Sequence, residues 1–302
     1  MKPSLLLNAH KAGQVPVKSL HHTPAPNLDD FAKILDGLAG RLKHGPAGTS
    51  NWVGGSIVAA ETKLRVLRLI LKSCSRPPSG RKLLDIGSQI GSLPVYAVQL
   101  GIQAAAVDNG EFAADCALAA RDLGVDYRIA DVGREQLPFA DNSFDFVTYM
   151  DVIEHHPYSP KRVLLEAHRV LSRGGLLIIT TPNHASIYNR FSLLCGKSVL
   201  DPLGYYFDQC ATRELYPGHH REYTQGELRT MLEGTGYQVV ECSSIGEGIR
   251  PQLRAMRREA ATGWLPAVRK YGKFVAAEAL APLWAAAPVP LGRILWAVGQ
   301  KK

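Results

Sequence analysis

The chain has 302 residues, 46% of them hydrophobic and 21% charged, with a net charge of +8, a balance ordinary for a globular protein and enough for one large domain with insertions or two modest ones. No uninterrupted apolar run of about 18 residues occurs, which excludes a transmembrane helix. The five cysteines, Cys74, Cys116, Cys195, Cys210 and Cys242, are scattered, odd in number and without a CxxC pair, against both a disulfide framework and a zinc-thiolate site.

The first residues, MKPSLLLNAHKAG, hold only three consecutive leucines, too few for a signal-peptide core, so the expected address is the cytoplasm. Residues 1–26 lack hydrophobic periodicity and read as loosely ordered. Asn27 is placed to cap a helix running to about Lys43, with Phe31, Ile34, Leu35, Leu38 and Leu42 at helical spacing. Residues 1–55 are thus expected to form a partly disordered extension with one helix. A second helix spans about Ser56–Ser73.

From Arg81 strand and helix alternate: KLLDIG, a helix near Leu93–Leu100, QAAAVD, a helix near Phe112–Leu123, DYRIAD, then FDFVTYMDV, a helix over Lys161–Leu171 and GLLIITTPN. That order predicts a doubly wound α/β sheet whose parallel strands are joined by crossover helices. The early strands end at Asp85, Asp108 and Asp131, and ligands of such sheets bind at the carboxyl ends of the strands. Residues 184–222 read as a long, aromatic, turn-rich insertion, of the kind that walls a substrate site. A helix over Gln225–Gly234, a strand YQVVECSSI and a closing strand GRILWAVGQ complete the domain, 56–302.

Charge is unevenly placed. Residues 1–82 carry 13 Lys or Arg against 4 Asp or Glu, residues 83–249 carry 12 against 21, and residues 250–302 carry 10 against 2. An acidic middle suits a cationic cofactor, and basic flanks suit an anionic partner. Within a basic helical insertion at 247–290, Trp264, Val268, Tyr271 and Val275 recur at helical spacing among arginines and lysines. Packing on its own domain and peripheral contact with an anionic membrane surface through 250–302 both fit. Nucleic acid is the weaker reading, because no aromatic stacking motif accompanies the basic residues.

LPFADNSFDFV at 137–147, followed by DVIEHH and by RVLSRGGLLIITTPN at 169–183, resembles the class I S-adenosylmethionine-dependent methyltransferases, in their type 11 and ubiquinone-biosynthesis O-methyltransferase-like group. The resemblance implies a seven-stranded Rossmann-like sheet, mostly parallel with one antiparallel strand, and S-adenosylmethionine as cofactor. Gly87 would turn the loop out of the first strand and let backbone approach the methionine part of the donor. Asp85, Ser88, Gly91, Asn109 and Met150 would complete its surroundings. Asp108 would meet the ribose hydroxyls, a role it would also play toward a dinucleotide, and Asp131 with Val132 would meet adenine. In the family's DxGxGxG loop, Gln89 here replaces the middle glycine, which puts donor affinity in question.

Asp151, Glu154 and His155, with His219 downstream, resemble the ExxEH constellation of the ubiquinone-biosynthesis enzymes and of small-RNA 2′-hydroxyl methyltransferases. Two chemistries follow: a mixed oxygen and nitrogen site for Mg²⁺ or another divalent cation, or an imidazole general base, His155 or His219, assisted by Asp151. The expected activity is methyl transfer to an oxygen of a small-molecule, sugar or lipid-linked acceptor. A metal-dependent RNA 2′-O-methyltransferase and a non-catalytic binding module with the same fold are the alternatives.

Overall fold

The computed structural model describes residues 25–42, 56, 59–74, 78–109, 113–213, 216–245, 263, 265 and 291–302. Seven strands form a single sheet: β1 (Lys82–Ile86), β2 (Gln103–Asp108), β3 (Asp126–Ile129), β4 (Phe144–Met150), β5 (Leu171–Pro182), β6 (Tyr237–Ile245) and β7 (Ile294–Lys301). Their order across the sheet is β3-β2-β1-β4-β5-β7-β6. β7 runs antiparallel to both β5 and β6, while β1 to β5 are parallel. The order of the strands across the sheet reverses between β1 and β4, and the carboxyl ends of those strands flank the site.

The central strands are apolar on both faces because helices cover both. One face packs α1 (Leu28–Ala39), α2 (Ala60–Ser73), α3 (Ser92–Gln99) and α4 (Ala113–Arg121). The other packs α5 (Lys161–Val170) and α8 (Gln225–Gly234). Two further helices, α6 (Ile187–Leu194) and α7 (Leu203–Thr212), lie in the 184–222 insertion, which is therefore helical rather than purely turn-rich. Neither buries a residue, so the apolar spacing each carries, such as Leu203, Tyr206, Phe207 and Cys210, has no core behind it.

The helix expected after Asn27 ends at Ala39, and its buried face, Phe31, Ile34, Leu35 and Leu38, belongs to the same core cluster as Leu83 and Tyr96. A boundary at residue 55 thus runs through one core. Asn27 Oδ1 accepts from the Asp30 amide at 2.9 Å, and the Asn27 amide donates to Tyr96 Oη at 3.0 Å. Asn27→Ala is expected to lower stability by about 1 kcal/mol, the usual worth of an N-cap, measured by urea denaturation; an unchanged midpoint would show the cap to be idle. α8 carries a complete capping box between Thr224 and Glu227, which is why its start was readable. The basic stripe of 247–290 falls outside the described residues, apart from positions 263 and 265.

Candidate active site

β1 leads into a tight loop whose geometry is set by backbone sign. Gly87 and Gly91 adopt φ +71° and +75°, and Gln89, where a third glycine was expected, adopts φ 50°. A left-handed non-glycine costs roughly 1–2 kcal/mol. Two hydrogen bonds offset it: the Gln89 amide donates to Asp108 Oδ2 at 2.7 Å and the Gln89 carbonyl accepts from Tyr127 Oη at 2.6 Å.

Below this loop and the end of β4 opens a cavity of about 1250 Å³. It gathers eight of the residues singled out from sequence: Asp85, Gly87, Ser88, Met150, Asp151, Glu154, His155 and His219. Gln89 is part of the wall and leaves the volume open. Gly91, Asp108, Asn109, Asp131 and Val132 do not line it. Gly91 instead packs toward Ala120 and Tyr127, and Val132 is buried in the core. Asp108 Oδ1 accepts the Asn109 amide at 2.7 Å while its other oxygen holds Gln89, and Asp131 Oδ1 accepts the Gly133 amide at 3.0 Å. The three strand-end acids share the carboxyl edge of the sheet, but only Asp85 faces this cavity.

Asp85 is buried and accepts from Ser88 Oγ and Thr148 Oγ1, each at 2.7 Å. Burial pushes its pKa up, against those hydrogen bonds and the Lys63 ammonium. Lys63, which sequence reasoning passed over, supplies a cation inside the cavity wall. Its Nζ donates to Ser92 Oγ at 2.9 Å and Ser56 Oγ at 3.3 Å. Burial lowers its pKa, while Asp85 and Asp151 hold it up. The signal was present: Lys63 shares one helical ridge with Ala60, Leu67 and Ile70, all buried, and a lysine on a buried ridge needs a reason.

At the end of β4, Asp151 adopts φ 53°, and its Oδ1 accepts from Thr180 Oγ1 at 2.9 Å. The next turn, a 3-10 helix over Ile153–His155, presents Glu154, whose Oε2 accepts from Thr181 Oγ1 at 2.9 Å. Its backbone carbonyl accepts from the His220 amide at 2.7 Å and the Arg221 amide at 3.3 Å, which staples the 216–222 segment over the turn. His155 Nδ1 lies 3.1 Å from the Pro217 carbonyl and 3.2 Å from that of Gly218, so it must donate there, leaving Nε2 as the bare nitrogen. His219 Nδ1 lies 3.1 Å from Glu222 Oε1, and the same logic frees its Nε2. The two rings meet edge to face at 4.9 Å. The Glu222 hydrogen bond raises the His219 pKa, whereas burial lowers that of His155.

One ligand atom each from Glu154, His155 and His219 lies within 4.8 Å of the others. Asp151 is not one of that trio, because it is turned to Thr180. Glu222, Thr181 and Asp201, whose Oδ2 accepts the His219 amide at 3.0 Å, were not identified from sequence. Of the insertion's aromatic residues, Tyr188 and Phe191 line the cavity; Tyr205 and Tyr206 stack on Tyr216, and Phe207 is exposed.

Burial and the nearby Asp151 raise the Glu154 pKa from 4.5 to about 8. The folded chain therefore holds a proton that the unfolded chain has released, and stability falls as pH rises through that window. Glu154→Gln is expected to flatten the pH dependence of Tm between pH 4.5 and about 8; an unaltered slope would assign that dependence to other groups.

A mostly parallel sheet with a cavity at its switch point, walled by a glycine turn and by Asp85 and Asp151, is the arrangement in which doubly wound α/β proteins bind their ligands. The methyltransferase domain family of type 11 matches residues 84–179. The ubiquinone biosynthesis O-methyltransferase of Xanthomonas axonopodis pv. citri is 33% identical over 191 residues, 60% of this chain and 73% of its own length. That of Pseudomonas aeruginosa strain LESB58 is 31% identical over 132 residues, 41% of this chain and about half, 54%, of its own. A crystal structure of an S-adenosylmethionine-dependent methyltransferase from Mesorhizobium loti shares the fold, with a TM-score of 0.50 at 18% identity over 79% of this chain and 97% of that one. The chain belongs to the class I S-adenosylmethionine-dependent methyltransferases.

Proposed function

We propose that the enzyme methylates a hydroxyl oxygen of a small or lipid-linked acceptor, with His219 as the general base. The observation that carries this reading is the His219 ring, fixed through Nδ1 on Glu222 and lining the same cavity as the Asp85–Ser88 loop. When bound, S-adenosylmethionine supplies an activated methyl carbon for in-line displacement, so the chain has to align the acceptor and remove a proton. Asp85, Gly87, Ser88 and Met150 would hold the donor, with Lys63 reaching its carboxylate and Asp108 and Asp131 acting at the outer edge. Both bacterial relatives are O-methyltransferases of ubiquinone biosynthesis, which supports oxygen as the acceptor atom. The apolar outer wall, including Ile187, Phe191, Val199 and Leu200, suits a small or lipid-linked acceptor better than an RNA backbone.

Calorimetric titration with S-adenosylmethionine, followed by mass spectrometry of a panel of hydroxylated aromatic acceptors, tests the reading. A methyl ether product supports it; a methyl group on nitrogen or carbon overturns it. Lys63→Met is expected to weaken donor binding by about tenfold to a hundredfold, the worth of one charge-assisted hydrogen bond, and Lys63→Arg to recover part of it. Equal donor affinity in all three proteins would remove Lys63 from the donor site.

The Glu154, His155 and His219 trio supports a second chemistry at the same place. Two imidazoles with their Nδ1 atoms already committed and a buried carboxylate, one ligand atom of each within 4.8 Å of the others, fit a divalent metal. Glu154, His155 and His219 would then be its ligands, and the metal would acidify the acceptor hydroxyl. Turnover that is lost with a chelator and restored by Mg²⁺ selects this version; turnover indifferent to chelation selects the unaided base.

A further inference from the structure

Three non-glycine residues among the described ones have a positive φ: Gln89, Asn142 and Asp151. Asparagine and aspartate are the side chains that tolerate the left-handed region best after glycine; glutamine has no such tolerance. Gln89 stands on the loop between β1 and α3, flanked by Gly87 and Gly91, both left-handed themselves. A third glycine would sit there without strain. We propose that the Gln89 side chain is a contact for the methyl donor, its carboxamide hydrogen-bonding a ribose hydroxyl of S-adenosylmethionine beside Asp108.

Three observations carry this role. First, the fold does not use the side chain. Both hydrogen bonds that hold residue 89 are made by its backbone, the amide to Asp108 Oδ2 at 2.7 Å and the carbonyl to Tyr127 Oη at 2.6 Å, and a glycine would make both at no conformational cost. Second, among the described residues the carboxamide has no hydrogen-bond partner, since those two backbone bonds are the only ones Gln89 makes. The residue is exposed and lines the cavity beside Asp85, Gly87 and Ser88. A side chain that strains its own backbone and returns no contact within the fold points to a ligand, because strain of this kind gathers where a ligand is gripped. Third, chemistry and place agree on the ribose. A carboxamide offers both a donor and an acceptor, which suits a hydroxyl. Its backbone is bonded directly to Asp108, the acid placed for the ribose, and each Asp108 oxygen already accepts a backbone amide, one from Asn109 at 2.7 Å and one from Gln89. A second polar group can therefore share the two vicinal hydroxyls with it. The donor's carboxylate falls to Lys63, whose ammonium is anchored on Ser92 and Ser56. The departure from the glycine pattern is then a gain in donor affinity rather than an obstruction.

A contact at the ribose presupposes only that the donor is held at the Asp85–Ser88 loop, whichever atom accepts the methyl group. The test is calorimetric titration of the full-length parent, Gln89→Gly and Gln89→Ala with S-adenosylmethionine and, by displacement of it, with 5′-methylthioadenosine, which keeps the ribose and lacks the amino-acid end. Urea denaturation of each protein accompanies it. Gln89→Gly should raise the urea midpoint, because the left-handed strain is gone, and yet weaken both ligands by about threefold to tenfold, the worth of one neutral hydrogen bond. Gln89→Ala retains the strain, so its midpoint should stay near the parent's while both ligands weaken by the same factor. Donor binding by both variants that equals or exceeds the parent's overturns the inference and makes the side chain a tolerated obstruction. A loss in Gln89→Gly that Gln89→Ala does not share assigns the effect to loop freedom and overturns it too. A loss confined to S-adenosylmethionine, with 5′-methylthioadenosine unaffected, overturns the ribose as the group contacted. A parent chain that binds neither ligand overturns the donor site at this loop as a whole, an outcome distinct from a parent that binds and variants that bind equally.

Discussion

His219→Ala is expected to lower kcat by about two to four orders of magnitude, the range for removing a positioned general base, while leaving donor affinity within a few-fold of the parent. The asymmetry follows from place. The His219 ring contacts Glu222 and His155, whereas Lys63 bonds to Ser92 and Ser56 and Asp85 to Ser88 and Thr148, and the His219 loop is held by backbone hydrogen bonds from His220 and Arg221 to Glu154 that do not pass through the imidazole. The pH profile gives the sharper readout. A base must be deprotonated to act, and Glu222 raises the His219 pKa above 6.5, so activity should fall as pH drops through a limb above that value. Glu222→Gln keeps a hydrogen-bond acceptor without its charge, which stabilises the imidazolium less, and the limb should move to lower pH. A His219→Ala enzyme with parental kcat, or a Glu222→Gln profile that coincides with the parent's, would remove His219 from proton transfer.

The fold could be read from sequence wherever burial was two-sided. KLLDI, QAAAVD and FDFVTYM are nearly continuous apolar runs because helices cover both faces of the central strands, and the acids closing them stand out by contrast. The β6 strand and α8 matched the expected bounds on other signals, the latter through the capping box of Thr224 and Glu227. What stayed hidden depends on distance in sequence. Lys63 meets the cavity 22 positions before Asp85, and Glu222 acts on a histidine whose partner turn lies more than sixty residues earlier; no local period reports such meetings. α6 and α7 were missed although Ile187, Phe191 and Leu194, and then Leu203, Tyr206, Phe207 and Cys210, recur at helical spacing; both runs are short, and Gly196, Pro202 and Gly204 around them signal turns. Gln89 was legible as a departure from the expected loop, but its tolerance was not, since the Asp108 and Tyr127 hydrogen bonds that hold it come from β2 and β3.

Gly87→Ala should have the largest effect on folding and donor binding together. A Cβ at this position would lie 2.3 Å from Val152 Cγ2 and 2.8 Å from Cγ1, and the backbone there is left-handed at φ +71°. Overpacking of about 1–3 kcal/mol and a left-handed penalty of about 1–2 kcal/mol add to roughly 2–5 kcal/mol, a large part of a typical domain's stability. The clash also has a direction. Val152 follows Asp151 and precedes the turn carrying Glu154 and His155, so the loop that would hold the donor and the turn that would meet the acceptor press on each other through one valine. If the loop yields, the Gly87 amide loses its hydrogen bond to the Val107 carbonyl, now 2.8 Å, and donor affinity falls; if the turn yields, His155 and Glu154 shift and turnover falls. Val152→Ala separates the two penalties. In the double variant Gly87→Ala, Val152→Ala most of the steric part should be recovered, the Val152 Cβ remaining at 3.1 Å, and the left-handed part should remain, so the two mutations are strongly non-additive by denaturation and by calorimetric titration of S-adenosylmethionine. Additive effects would mean that the turn gives way freely to a methyl group, and the proposed mechanical link between donor loop and acceptor turn would fail.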